Sequence, residues 1–75
     1  MWQKVTVHVN DKTYTAYVKQ YDEGSQYGIA GGRISKLQIK DGERTVVNYD
    51  RGWDIKPKTP EERAAVQTII GGWNN

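Results

Sequence analysis

Cysteine and phenylalanine are absent from this chain, and histidine and methionine occur once each. Without cysteine no disulfide can staple the fold and no thiolate can hold zinc. His8 stands alone on an alternating segment, so the usual transition-metal ligand sets cannot be assembled. Ser25 and Ser35 have no histidine beside them in sequence to activate them. Long apolar runs are missing too. None exceeds three residues, which excludes a membrane-spanning segment. The "WQKVTV" after Met1 lacks the extended apolar region of a signal peptide. The expected location is therefore the cytoplasm. A strong charge bias is also lacking: the net charge is +2, weaker than dedicated DNA binders carry.

What the chain does contain fits one domain, residues 1–75. A core this small is marginal, and unstapled domains of this size often gain stability by self-association, so a homo-oligomer is expected. The positive charge is unevenly placed. Residues 33–58 carry Arg33, Lys36, Lys40, Arg44, Arg51, Lys56 and Lys58 against Asp41, Glu43, Asp50 and Asp54. The segments on either side are neutral or slightly acidic. Three Trp and five Tyr stand where Phe would be expected. Their polar tips suit half-wet surfaces, either capping a thin core or lining a ligand surface.

The pattern along the chain reads as strands followed by a helix. Residues 2–9 alternate, with Val5, Val7 and Val9 on one side and Lys4, Thr6 and His8 on the other. "NDK" at 10–12 is a turn, and 13–19 alternate again, with Tyr14, Ala16 and Val18 inward. Residues 20–28 form a loop. Residues 33–40 make a third strand with Leu37 and Ile39 inward, and Asp41-Gly42 signals a second hairpin. Residues 44–50 make a fourth strand, with Thr45, Val47 and Tyr49 on one side and Val46 and Asn48 on the other. "RGWDIKPK" is expected to extend that strand past a glycine bulge until Pro57 ends it. Thr59, Pro60 and Glu62 form a helix start of the capping-box type. Val66, Ile69, Ile70 and Trp73 recur at helical spacing, and Gly71 and Gly72 are expected to end the helix. The expected fold class is α+β: an antiparallel four-stranded β-sheet of two hairpins, with one C-terminal α-helix packed on one face.

Two stretches could carry chemistry. "YGIAGGRISKL" at 27–37 places three glycines within five residues, followed by Arg33. A phosphate-binding P-loop needs its glycines ahead of a helix, whose amides and dipole hold the anion. Here a strand follows, so the P-loop and the dinucleotide fingerprint are both rejected. What remains is a sharp turn, either purely structural or a backbone nest for an anion. "YDRGWD" at 49–54 packs Arg51 between Tyr49 and Trp53. That composition suits stacking, cation–π contact and bidentate phosphate binding, or a structural ion pair with Asp50 or Asp54. Asp50 and Asp54 lack the setting of a catalytic carboxylate pair. No cofactor is implied, and the chain reads as a non-enzyme.

The "GIAGGRISKL" and "YDRGWD" blocks, with the "PKTPEE" helix start, resemble a small family of uncharacterised proteins from phages and mobile elements of Gram-positive bacteria. The likeness covers about residues 21–70 and transfers no residue roles. It implies an accessory protein of a mobile element, a setting in which small proteins often blunt host defence. The first functional expectation is a non-catalytic, homo-oligomeric protein that sequesters a phosphate-bearing, nucleotide-like ligand in a bacterial host. In this reading Arg33, Lys36 and Arg51 meet the phosphates, while Tyr49, Trp53 and Tyr27 stack on base or ribose. The second is nucleic-acid binding through the strand face that carries Lys36, Gln38 and Lys40, with Arg44 beyond the turn. The third is inhibition of a host protein through the aromatic surface or an open sheet edge.

Overall fold

A computed structural model describes residues 2–74. Strands β1 (Gln3–Val9), β2 (Lys12–Gln20), β3 (Ile34–Asp41), β4 (Arg44–Asp50) and β5 (Trp53–Ile55) precede one helix, α1 (Pro60–Trp73). The fold is α+β as expected. The strands form one antiparallel sheet whose spatial order follows chain order. Both expected hairpins close through two-residue loops, with Val9 opposite Lys12 and Asp41 opposite Arg44. Each loop needs a positive φ, which Asn10 (φ 53°) and Gly42 (φ 64°) adopt readily.

Alternation puts Val7, Tyr14, Ala16, Val18, Leu37, Ile39 and Val47 on one face, all buried. The helix α1 lies over β1 and β2 on that face and contributes Ala65, Val66 and Ile69. Burying each of the larger aliphatic side chains contributes about 2 kcal/mol. Among the described residues no helix lies over the opposite face of the sheet. No helix among the described residues is long and apolar enough to cross a membrane.

Three details depart from the sequence expectation. The sheet has five strands, because the chain does not run straight on past Asp50. It reverses at Arg51–Gly52, where Arg51 takes φ 55° and the Asp50 amide donates to the Gly52 carbonyl at 2.9 Å. Trp53 then comes back opposite Tyr49. Secondly, Val46 is buried together with Val47 rather than facing away from it. Lys40 pairs with Thr45 and Ile39 with Val47, so Val46 is the extra residue of a bulge, which breaks the two-residue alternation. Thirdly, α1 continues through Gly71 and Gly72 to Trp73. Trp73 packs against the core and its carbonyl accepts a hydrogen bond from the Gln20 side chain, so tertiary contact overrides two weak helix formers.

The start of α1 is as expected. Thr59 Oγ1 accepts from the Glu62 amide at 3.0 Å, and Glu62 Oε1 accepts from the Thr59 amide at 3.4 Å and the Lys58 amide at 2.8 Å. These contacts account for a carboxylate buried at this position.

Candidate anion site on the open sheet face

The glycine stretch folds into a self-contained turn. A short 3-10 segment, Ile29–Gly31, is closed by Gly31 N donating to Gly28 O at 3.0 Å and Gly32 N to Ile29 O at 2.9 Å. Gly28 N donates to Ser25 O at 2.9 Å. The following amides are taken by the end of α1: Arg33 N donates to Asn74 O at 3.3 Å and Ile34 N to Asn74 Oδ1 at 3.0 Å. Asn74 Nδ2 in turn donates to Ile29 O at 2.7 Å. Amides committed in this way do not form an anion nest. A Cβ at Gly28 would sit 2.1 Å from the Gly32 carbonyl oxygen, so close backbone approach explains that glycine.

The side chains expected to share one site divide between the two faces of the sheet. Leu37 points into the core, so Lys36 before it points to the open face. Tyr49 pairs with Leu37 and with Trp53, and both rings lie on the core side. They meet edge-on, with centroids 5.0 Å apart and planes at 75°. Tyr49 is 7% exposed, and its hydroxyl donates to the Tyr27 carbonyl at 2.9 Å. Trp53 and Tyr27 remain exposed on that side. Tyr49 and Trp53 therefore do not flank Lys36 and Arg51 as expected, because strand alternation puts them across the sheet. Burial, and to a lesser extent the neighbouring Tyr21, pushes the Tyr49 phenol pKa above its ordinary value.

On the open face the cations do converge. Lys19 of β2 lies directly opposite Lys36 of β3, and Lys36 lies opposite Asp50 of β4. Asp50 is 3.8 Å from Lys36 Nζ and 3.8 Å from Arg51 Nε. Together Lys19, Lys36 and Arg51, with Tyr21 and Ser35, line a depression of about 270 Å³. Two like charges directly opposite each other across strands destabilise a sheet, and of the three cations Lys36 and Arg51 are the two that pair with Asp50. The backbone beneath is built by a bulge. Ser35 is the extra residue between the Lys19–Lys36 and Gln20–Ile34 pairs. Its hydroxyl donates to the Lys19 carbonyl at 3.0 Å, and its own carbonyl accepts from the Arg51 amide at 3.2 Å. Ser35 thus ties β2 and the β4–β5 turn to one point. The positive φ of that turn falls on Arg51, not on Gly52 next to it. A side chain held in this region costs about 1–2 kcal/mol. The ion pairs of Asp50 are with Lys36 and Arg51, whereas Arg33 Nε donates to the Tyr21 carbonyl at 3.0 Å.

Sequence reasoning identified Lys36 and Arg51 and passed over Lys19 and Tyr21. Their place depends on the β2–β3 register, which the long intervening loop hides. Among the described residues no group of three or more His, Cys, Asp and Glu side chains could hold a metal ion. His8 Nδ1 lies 3.2 Å from Thr13 Oγ1 on the exposed surface. Residues 1–74 match the family model described as a domain of unknown function (DUF7678). No curated protein and no solved structure matches the chain.

Proposed function

The chain belongs to the DUF7678 family, and from that premise we propose that it is a non-catalytic binding protein for a phosphate-bearing, nucleotide-like ligand. The observation that carries this reading is the Lys19–Lys36 cross-strand pair, joined by Arg51 around one depression. A phosphate seated there relieves the repulsion between the lysines and gives Arg51 a bidentate partner. Tyr21 on the rim offers a ring for a base. In the mobile-element setting that the two sequence blocks suggest, such a protein would hold a nucleotide without turning it over.

The test is calorimetry and thermal shift with adenosine monophosphate, ADP-ribose and cyclic dinucleotides, beside inorganic phosphate. At least one nucleotide is expected to raise the melting temperature of the wild type. Lys19→Gln removes one of the opposed charges. It is expected to leave the free protein as stable or more stable, by about 0.2–1 kcal/mol. The same variant should weaken nucleotide binding about tenfold, as expected for loss of one charge-assisted hydrogen bond. Absence of any shift across the panel, with the protein folded, overturns the proposal.

A further inference from the structure

The depression is one end of a longer surface. Along β2 the open face reads Tyr17 and Lys19, and the ladder continues past the strand to Tyr21, whose amide donates to the Arg33 carbonyl at 2.7 Å. Along β3 the same face reads Lys36, Gln38 and Lys40. Tyr17 lies opposite Lys4 on one side and Gln38 on the other, and Gln38 lies opposite Asn48. A second depression, of about 340 Å³, is lined by Trp2, Tyr17, Gln38 and Lys40. Trp2 is 47% exposed there. Two residues of strand separate one row from the next, so Tyr17 and Lys19 stand about 7 Å apart along the face.

We infer that this face binds a single-stranded nucleic acid, which runs across both depressions. The inference rests on the proposed anion site and extends it from one nucleotide to several. Rings alternating with cations match a strand whose bases stack while its phosphates seek positive charge. Gln38 and Asn48 add side-chain amides between them; Asn48 Nδ2 donates to Asp54 Oδ2 at 3.2 Å, and the Gln38 amide can donate to and accept from base edges. Lys4, Lys19, Lys36 and Lys40 against Asp50 and Asp54 leave the face an excess of positive charge, complementary to a polyanion. Stacking on Tyr17 or Trp2 requires bases that are not paired.

Fluorescence anisotropy with labelled oligo-dT and oligo-U of about ten nucleotides tests this. Both strands, or one of them, are expected to bind at least about tenfold more tightly than adenosine monophosphate. With about four phosphates neutralised, log affinity should fall against log salt with a slope of about −3. Tyr17→Thr and Lys40→Gln alter only the second depression. Each is expected to weaken oligonucleotide binding about five- to tenfold and to leave the mononucleotide thermal shift unchanged. Melting temperatures of both variants report whether they are folded, and Lys40→Gln serves if Tyr17→Thr is not. Mononucleotide binding with no gain for the oligomers, or full oligomer binding by both folded variants, overturns the extended platform and leaves the single anion site standing. Oligomer binding without any mononucleotide shift supports the platform and counts against the separate nucleotide reading. Equal affinity for duplex DNA of the same length, or for polyglutamate, overturns it in favour of non-specific or acidic-protein binding.

Discussion

At the scale of single residues, Arg51 is the most informative position. It combines an unfavourable backbone conformation with a guanidinium that reaches the anion site. Arg51→Gly separates the two properties. The variant is expected to keep the turn and gain up to about 1 kcal/mol in urea denaturation, since glycine tolerates φ 55° without a Cβ clash. Nucleotide or oligonucleotide binding should fall in the same protein. A variant that loses stability along with binding would show that the Arg51 contact with Asp50 holds the turn. Ala30 has a similar φ of 52° within the glycine turn and lines neither of the two depressions described above.

At the scale of elements, three irregular places decide the shape of the site: the bulges at Ser35 and Val46 and the reversal at Arg51–Gly52. The Ser35 bulge is the one that couples strands. Ser35→Ala removes the hydroxyl that donates to the Lys19 carbonyl in a buried position. A loss of about 1–2 kcal/mol is expected in chemical denaturation. Ligand binding should weaken as well, because Lys19 loses its tie to the bulge, while the Arg51 amide keeps its bond to the backbone carbonyl of residue 35. The regular parts were legible in the sequence. Val5, Val7, Tyr14, Ala16, Val18, Leu37 and Ile39 alternate without interruption, and Thr59-Pro60-Glu61-Glu62 states its capping chemistry openly. The irregular parts were not. A bulge leaves no periodic mark, and nothing in Arg-Gly distinguishes a reversal from a kink. The candidate site was half legible for the same reason. Lys36 and Arg51 lie in conspicuous blocks, while Lys19 and Tyr21 join them only once the register across the 21–33 loop is known.

At the scale of the whole molecule, the sheet is covered on one face and open on the other, and the buried Tyr49 lies on the covered side. Tyr49 holds its proton more tightly in the folded chain than in the unfolded one, because burial disfavours the phenolate. Its contribution is fully present below the ordinary phenol value near pH 10 and is lost as pH rises from there through the raised folded value. Stability should therefore fall above about pH 10, and part of that fall should disappear in Tyr49→Phe. At neutral pH the same variant should lose about 1 kcal/mol with its bond to the Tyr27 carbonyl. Equal alkaline slopes in the two proteins would assign the fall to other groups.

The order of the strands also has a kinetic meaning. Every strand pairs with its sequence neighbour, so the meander can zip from hairpin to hairpin with short loop closures. The hydrogen bonds that Asn74 donates to Ile29 and accepts from Ile34 span 45 and 40 residues. Contacts of such long range close late, after the transition state has formed. Asn74→Ala is therefore expected to leave the refolding arm of a stopped-flow chevron almost unchanged and to raise the unfolding rate about tenfold. The clamp between the helix end and the glycine turn then acts as a latch on lifetime: it sets how long the molecule stays folded, and has little part in how fast it gets there.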